Sequence, residues 1–314
     1  MAETYIRQAR LDDTYAISQL FRAHIHTWQR LNALGQVEDV AYDALTIYER
    51  WLHGGAWMSV ETGAIHLSHL LHGAGIPLVA EVDGKIAAYT ELYEGVEPPP
   101  FGANLSMVHP TLHPDFSSAG LETALLNYAR ELLPQRKCER LLVSVALPEA
   151  QQFYQQQGLQ VLCVVRRYTL PARTGQGFYR TVEHLDPNPA QIRGWHMPIG
   201  RLGSARQQWE ALWPRTLDAI PEIRQRRTHR LQFHAAGQEA FVCCQQQLYV
   251  ERNTDISCWS PRPLTTQLLT AIRDWTHREG YRTLVLAVPE DTAKILGAEA
   301  EADGYYQIVY GAES

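Results

Sequence analysis

One pattern of apolar residues occurs twice in this chain of 314 residues and constrains its fold more than any other feature. Apolar side chains recur at positions i, i+4, i+7, i+8 and i+11 in a segment that starts at Leu121. The same pattern starts again at Leu264, 143 positions later. This spacing places the apolar side chains on one face of an α-helix. Since each segment precedes an apolar run typical of a buried strand, at 141–145 and 284–288, the chain is predicted to contain two copies of one α/β unit.

A β-hairpin is predicted upstream of both helices. Asp83-Gly84 separates two alternating runs in the first copy, and Asp-Gly is a strong hairpin signal. Ala236-Gly237 holds the corresponding place in the second copy. Each hairpin is followed by a strand, a helix, a strand, a helix and a strand. Chance recurrence is an alternative, because βαβ units are common, but the match of all these elements favours duplication.

The predicted fold class is therefore α/β, with a mixed α+β sheet in each of two tandem copies. A chain of this length suits two domains of about 150 residues. Proline and glycine punctuate residues 173–194. We expect the first copy to occupy residues 1–172, a linker to occupy 173–194 and the second copy to occupy 195–314.

Charge and hydropathy exclude several function classes. The net charge of −6 and the pI of about 6.1 argue against a nucleic-acid-binding protein. No basic and apolar leader opens the sequence, and no apolar run is long enough to span a bilayer. The five scattered cysteines suit a reducing compartment. A cytoplasmic protein, as a monomer or homodimer without membrane partners, is expected.

Three histidines, His66, His69 and His72, could line one stripe of a helix. No carboxylate or cysteine joins them at the spacing of a metal site. We therefore expect no metal, and we interpret this stripe as a solvated helix face near the entrance for a substrate.

Two short segments of the first copy carry recognisable motifs. Residues 112–126 read LHPDFSSAGLETALL, and residues 150–159 read AQQFYQQQGL. Together with the order of elements, they resemble the GNAT N-acetyltransferase superfamily. In that family the turn after the fourth strand reads R/Q-x-x-G-x-G/A, and backbone N–H groups at the helix start bind the pyrophosphate of acetyl-CoA. A tyrosine on a later helix protonates the departing thiolate.

The resemblance assigns candidate residues to these two roles. Tyr154 falls on the position of the general acid; the alternative is that its ring only packs on one wall of an amphipathic helix. The co-substrate acetyl-CoA would be bound by residues of the turn and the helix start: Leu112, Ser117, Ser118, Ala119, Gly120, Leu121, Glu122 and Thr123.

Both copies depart from the family motif. In the first copy Gly120 matches, whereas Ser117 replaces the Arg or Gln and Glu122 replaces the small residue. A carboxylate about 4 Å from a phosphate charge is repelled by roughly 4 kcal/mol at an effective dielectric constant near 20. The second copy reads WSPRP at 259–263, without glycine, and Ala300 stands where the tyrosine is expected. The second copy is therefore predicted to be degenerate and unable to bind acetyl-CoA in the family's way.

The general base is less clearly marked. His109, on the fourth strand, has an ordinary pKa near 6.5 and could accept the amine proton; Glu91, on the preceding strand, is the other candidate. Each could instead have a purely structural role. Two functions remain open: an acetyl-CoA-dependent N-acetyltransferase acting on a small amine, or a catalytically inactive tandem protein that binds a small ligand or a protein partner.

Overall fold

The structure is a computed structural model that describes residues 4–116, 120–175 and 177–313. The α-helices are α1 Thr14–Arg22, α2 Ile47–Leu52, α3 Val60–His69, α4 Leu121–Gln135, α5 Pro148–Gln156, α6 Ala205–Leu212, α7 Pro221–Gln225, α8 Thr266–Arg278 and α9 Glu290–Ala293. The strands are β1 Thr4–Gln8, β2 Gln29–Leu31, β3 Val37–Asp39, β4 Ile76–Val82, β5 Lys85–Val96, β6 Ala103–Met107, β7 Thr111–Leu112, β8 Arg140–Val145, β9 Gln160–Pro171, β10 Tyr179–Glu183, β11 His196–Ile199, β12 Thr228–Ala235, β13 Gln238–Gln246, β14 Asn253–Ser260, β15 Thr283–Pro289 and β16 Glu301–Glu313. Within these described residues, no helix is both long and apolar enough to cross a membrane.

The mixed α/β class and the internal repeat are confirmed. The order hairpin, strand, helix, strand, helix and strand runs from β4 to β9 and again from β12 to β16. Both hairpin turns have the same backbone: φ is 48° at Asp83 and 76° at Gly84, and 49° at Ala236 and 73° at Gly237. Two consecutive left-handed residues make a type I′ turn, whose twist matches that of the flanking strands.

The strand that was predicted to follow the first hairpin is divided in two, β6 and β7. β6 pairs in parallel with β8 as far as Met107 and Val143, whereas β7 pairs antiparallel with β5. Pro110 lies between β6 and β7 and has no N–H to donate to a ladder. The backbone N–H of Val108 instead donates to the Glu91 carbonyl. The interruption therefore ends the parallel pairing just before the segment that resembles the pyrophosphate turn.

Several elements were not predicted from the sequence. β2 and β3 form a separate two-stranded hairpin, and α6 and α7 follow β11. β10 lies within the segment predicted as a linker, and it pairs antiparallel with β12. The described residues group into two compact units that are discontinuous in sequence. Unit 1 lies within 1–92, 108–132 and 215–225, and unit 2 lies within 93–107, 133–214 and 226–314. The division at 173–194 stays a prediction.

Unit 1 contains an antiparallel sheet with the strand order β1, β4, β5, β7. α1 and α3 pack together, and α1 buries Ile17 and Leu20 because these positions lie on one helix face. Trp57, in the turn before α3, stacks on Phe21 with ring centroids 5.7 Å apart. The buried core of this unit consists of Ala9, Ile17, Leu20, Trp57, Leu67, Val79 and Tyr89.

Unit 2 contains a longer sheet with the strand order β6, β8, β16, β9, β15, β14, β13, β12, β10, and β11 pairs with β14. The last strand of the chain, β16, lies between β8 and β9, antiparallel to both. A buried aromatic cluster of Trp209, Trp213, Trp259 and Phe241 packs beside this sheet. The five cysteines are all described and none forms a disulfide.

Candidate functional site

The start of α4 carries the described part of the predicted pyrophosphate turn. Gly120 has φ of 69°, a left-handed conformation that glycine adopts without a steric penalty. It is exposed, and among the described residues no atom beyond its chain neighbours and the backbone of its own helix lies within 4 Å of the position that a Cβ would occupy. Leu121 is fully buried and anchors the helix, whereas Glu122 and Thr123 are half-buried. Backbone N–H groups at such a helix end attract anions.

Leu112 ends β7, and its carbonyl oxygen accepts a hydrogen bond of 2.8 Å from the Nε2 of His24. This bond ties the chain after α1 to the beginning of the turn. The other predicted residues of the turn, Ser117, Ser118 and Ala119, lie outside the described residues.

His109 and Glu122 are brought together by the structure. The Nε2 of His109 lies 3.7 Å from the Oε1 of Glu122. Burial lowers the pKa of His109. Burial also raises the pKa of Glu122. Both shifts favour the neutral forms, so His109 does not provide a permanent cation that would screen Glu122 from a phosphate. A neutral imidazole is, however, able to accept a proton.

Glu91 is buried and its Oε1 accepts three hydrogen bonds. The donors are the Nε1 of Trp57 at 3.3 Å, the hydroxyl of Tyr89 at 3.0 Å and the Nε2 of His66 at 2.9 Å. Burial alone would lower the pKa of His66, but the charge of Glu91 and this hydrogen bond raise it. Donors of this kind stabilise an ionised carboxylate and make it a weaker base. The arrangement therefore favours an ion pair of His66 with Glu91.

The histidines of the predicted stripe do not share one environment. His66 faces Glu91, whereas the Nδ1 of His72 donates to the Ser68 carbonyl at 2.6 Å. Among the described residues, no three His, Cys, Asp or Glu side chains are grouped so that they could hold a metal ion.

Tyr154 lies on α5 in unit 2 and is fully buried. Its ring contacts Phe153, with centroids 5.0 Å apart, and Tyr310 on β16, at 6.4 Å. The hydroxyl of Tyr310 accepts a hydrogen bond of 3.0 Å from Gln155. The helix ends at Gln156 with Gln157 as its C-cap, because the next residue, Gly158, adopts a left-handed φ of 79°. Tyr154 is thus rigidly placed, in a different unit from His109 and Glu122.

The corresponding turn of the second copy is filled by its own side chains. The Nε2 of Gln238 donates to the Ser260 hydroxyl at 2.8 Å and to the Pro263 carbonyl at 2.9 Å. The hydroxyl of Thr265 donates to the Oε1 of Gln238 at 2.7 Å, and it accepts from the N–H of Leu268 as the N-cap of α8. Sequence reasoning missed Gln238, although its place directly after the hairpin turn was a signal.

This chain is similar to known acetyltransferases, in sequence over part of its length and in fold over nearly all of it. Residues 37–159 match the sequence model of the acetyltransferase (GNAT) family. No curated protein matches the chain. Among solved structures, a GCN5-related N-acetyltransferase from Anabaena variabilis is similar with a TM-score of 0.64 and 12% identity, over 98% of this chain and 72% of that one. A GCN5-related N-acetyltransferase from Kribbella flavida has a TM-score of 0.57 and 11% identity, over 99% of this chain and 71% of that one. Eis1 from Mycobacterium abscessus has a TM-score of 0.54 and 12% identity, over 98% of this chain and 73% of that one.

Proposed function

We propose that this chain is an N-acetyltransferase that uses acetyl-CoA to acetylate a small amine. The match of residues 37–159 to the acetyltransferase (GNAT) family model and the similarity of fold to a GCN5-related N-acetyltransferase support the proposal. The observation that carries the proposal is the exposed start of α4, where Gly120 holds a left-handed backbone and no described residue crowds the place of a Cβ. A glycine there lets a phosphate approach the backbone N–H groups closely, and the helix dipole adds attraction.

Acetyl-CoA supplies the acyl group as a thioester, whose carbonyl carbon is attacked by the nitrogen of the amine. The described residues Leu112 and Gly120–Thr123 would hold its pyrophosphate, together with Ser117, Ser118 and Ala119. Glu122 is the one residue that opposes this fit, because it would face the phosphates with a negative charge when ionised. Burial raises the pKa of Glu122, which lessens this conflict but does not abolish it at neutral pH.

Two side chains move protons in the proposed reaction. His109, whose pKa is lowered by burial, accepts the proton that the amine loses as it forms the amide bond. We prefer it to Glu91, because the Oε1 of Glu91 already accepts three hydrogen bonds. Tyr154 donates its hydroxyl proton to the sulfur as the carbon–sulfur bond breaks. A tyrosine of ordinary pKa near 10 is suited to protonate a thiolate, whose conjugate acid has a pKa near 8.5.

The test is binding followed by turnover. Calorimetry with acetyl-CoA and with CoA, up to millimolar concentration, measures affinity. Release of the CoA thiol in the presence of a panel of primary amines then measures transfer. Binding together with amine-dependent thiol release is expected. Absence of binding to both molecules would contradict the proposal.

A binding protein without catalysis is the second candidate, and Glu122 is the observation that favours it. In that case neither the wild-type protein nor the Glu122→Gly variant would bind acetyl-CoA or release its thiol. An unrelated metabolite would instead stabilise the protein against heat. Recovery of CoA binding in Glu122→Gly alone would identify a fold that has lost its co-substrate through this residue.

A further inference from the structure

The ring of Tyr42, in unit 1, is contacted by two guanidinium groups. The Cζ of Arg22 lies 3.4 Å from the ring centroid, and the Cζ of Arg50 lies 4.1 Å from it. Two planar cations at such distances cannot share one face of a ring, so the ring lies between them. Their Cζ atoms are then no farther apart than the sum of the two distances. Arg22 ends α1 and Arg50 lies on α2.

Neither guanidinium is neutralised by the protein. Within the described residues, no carboxylate oxygen lies within 4.0 Å of Arg22 or Arg50, although both side chains are half-buried. In the same unit, Arg7 pairs with Asp13 and Glu81, and Arg30 pairs with Glu38. Stacking on an aromatic face orients a guanidinium and leaves its edge nitrogens able to bind an oxyanion.

The hydrogen bonds of the two guanidinium groups also indicate that their outer nitrogens are available to a ligand. The Nε of Arg50 donates to the Tyr42 carbonyl at 3.3 Å, which fixes the side chain by its inner nitrogen. The Nε of Arg22 is buried and has no partner among the described residues. This nitrogen is inaccessible to a ligand, so an anion would pair with the outer nitrogens of the guanidinium and offset the cost of holding the cation half-buried. A planar carboxylate, which accepts two parallel hydrogen bonds from a guanidinium, suits such a site.

The pair lies beside the candidate site. His24, two residues after Arg22, donates to the Leu112 carbonyl at the start of the predicted co-substrate turn. Two residues span at most about 7.6 Å between Cα atoms. Phe21, the neighbour of Arg22 on the other side, stacks on Trp57, which in turn donates to Glu91.

We propose that Arg22 and Arg50 bind a carboxylate of the acceptor at the edge of the Tyr42 ring, with one oxygen towards each guanidinium, so that the substrate carries both a free amine and a carboxylate, as amino acids do. This proposal rests on the proposed function, because it assigns the acceptor of that same reaction. Tyr42 holds the two cations in place, and Trp28 supports its ring with centroids 5.0 Å apart.

Matched acids and amides test the proposal. The twenty common L-amino acids and their C-terminal amides are offered as acceptors with acetyl-CoA, and KM and kcat are measured for each pair that reacts. Acids are expected to have KM values about 10- to 100-fold lower than their amides, which is typical of the loss of charged hydrogen bonds. Arg22→Gln and Arg50→Gln should remove this preference with little change in kcat. Arg252→Gln, which removes an exposed arginine of unit 2, is the control and should keep it.

A second measurement does not depend on acetyl transfer. Thermal denaturation with each acid or amide, without acetyl-CoA, should show stabilisation by some acids only, and Arg50→Gln should abolish it. Arg50→Lys, which keeps the charge but not the fork geometry, should retain part of it. Stabilisation by acids without turnover would support the carboxylate site and contradict the proposed acetyltransferase activity. Equal effects of acids and amides, no effect of either, or an unchanged preference in both Gln variants would refute the carboxylate site.

Discussion

The helix that follows the fourth strand begins differently in the two copies. At α8, Thr265 caps the helix with its side chain, and Gln238 binds the carbonyl and hydroxyl groups of the turn. At α4 the preceding residue is Gly120, which has no side chain with which to cap. The second helix start is therefore completed by side chains of the protein itself, whereas Gly120, the described residue directly before α4, offers none. The same framework serves as a structural support in one copy and as a candidate anion site in the other.

This difference shows how one framework accepts two kinds of helix start without a change of fold. The apolar helix face is retained in both copies because it is needed for packing. Polar residues of the turn are free to change, and a side chain can take over hydrogen bonds that a ligand would otherwise make. Pro261 and Pro263 remove N–H donors from the second turn as well. Four predictions test this comparison.

The largest expected effect is on turnover. Tyr154→Phe should lower kcat by about 10²- to 10⁴-fold, the usual contribution of a general acid, and should leave acetyl-CoA affinity unchanged. Tyr310→Phe is the matched control, since it removes a neighbouring buried hydroxyl. Stopped assays of thiol release with both variants measure the difference. Equal kcat in wild type and Tyr154→Phe would rule out Tyr154 as the acid.

The next effect concerns binding at α4. Glu122→Gln should strengthen CoA binding by up to about a thousandfold, because it removes a charge that repels the phosphates. The gain should shrink at high salt. Glu61→Gln, an acidic residue in the first turn of α3, is the control and should change affinity little. Calorimetry at two salt concentrations measures both, and unchanged affinity in Glu122→Gln would place the phosphates elsewhere.

A smaller effect is expected on the stability of the second copy. Thr265→Ala removes the N-cap of α8 and should lower the free energy of unfolding by about 1 kcal/mol. CoA affinity should not change. Thr266→Ala, an exposed neighbour, serves as the control in urea denaturation. A loss of CoA binding in Thr265→Ala would show that the second turn takes part in binding after all.

The smallest effect is a pH dependence of stability with opposite signs at two histidines of unit 1. Burial lowers the pKa of His109, so its contribution is complete above about 6.5 and is lost as pH falls through the lowered value. His109→Gln should therefore lose less stability than wild type between about pH 6.5 and pH 5. Thermal denaturation at closely spaced pH values measures this.

His66 should behave in the opposite way. Its pKa is raised, since Glu91 outweighs burial, so its contribution is complete below about 6.5 and is lost as pH rises through the raised value. The stability difference between wild type and His66→Gln should be largest near pH 6 and shrink as the solution becomes alkaline. The same direction of change at both histidines would contradict the two assigned environments.

Much of the fold could be predicted from local signals. The helix pattern beginning at Leu121 and the turn at Asp83-Gly84 depend on nearby residues, so the elements that they predict are present. The interruption at Pro110 could have been expected from its missing N–H. The edge strand β10 could not, because Tyr179–Glu183 becomes a strand only by pairing with β12, which is distant in sequence.

The site was less accessible to sequence reasoning. The contact of His109 with Glu122 joins the link between β6 and β7, where the sequence had predicted a continuous strand, to a helix start, and nothing local marks it. The hydrogen bonds of Trp57, Tyr89 and His66 to one oxygen of Glu91 likewise depend on packing between α3 and β5. Tyr154 was found through its motif, but motif and position do not establish its role in proton transfer.

The place of β16 has a consequence for biosynthesis. Its residue Glu313 pairs with Arg140, and Ile308 pairs with both Val145 and Val164. While the ribosome is still adding the second copy, β8 and β9 have no strand between them, and their facing edges expose unpaired N–H and C=O groups. Contacts over such sequence distances form slowly. The nascent protein must therefore keep these two facing edges protected until β16 has been synthesised, which makes it a natural client for chaperones.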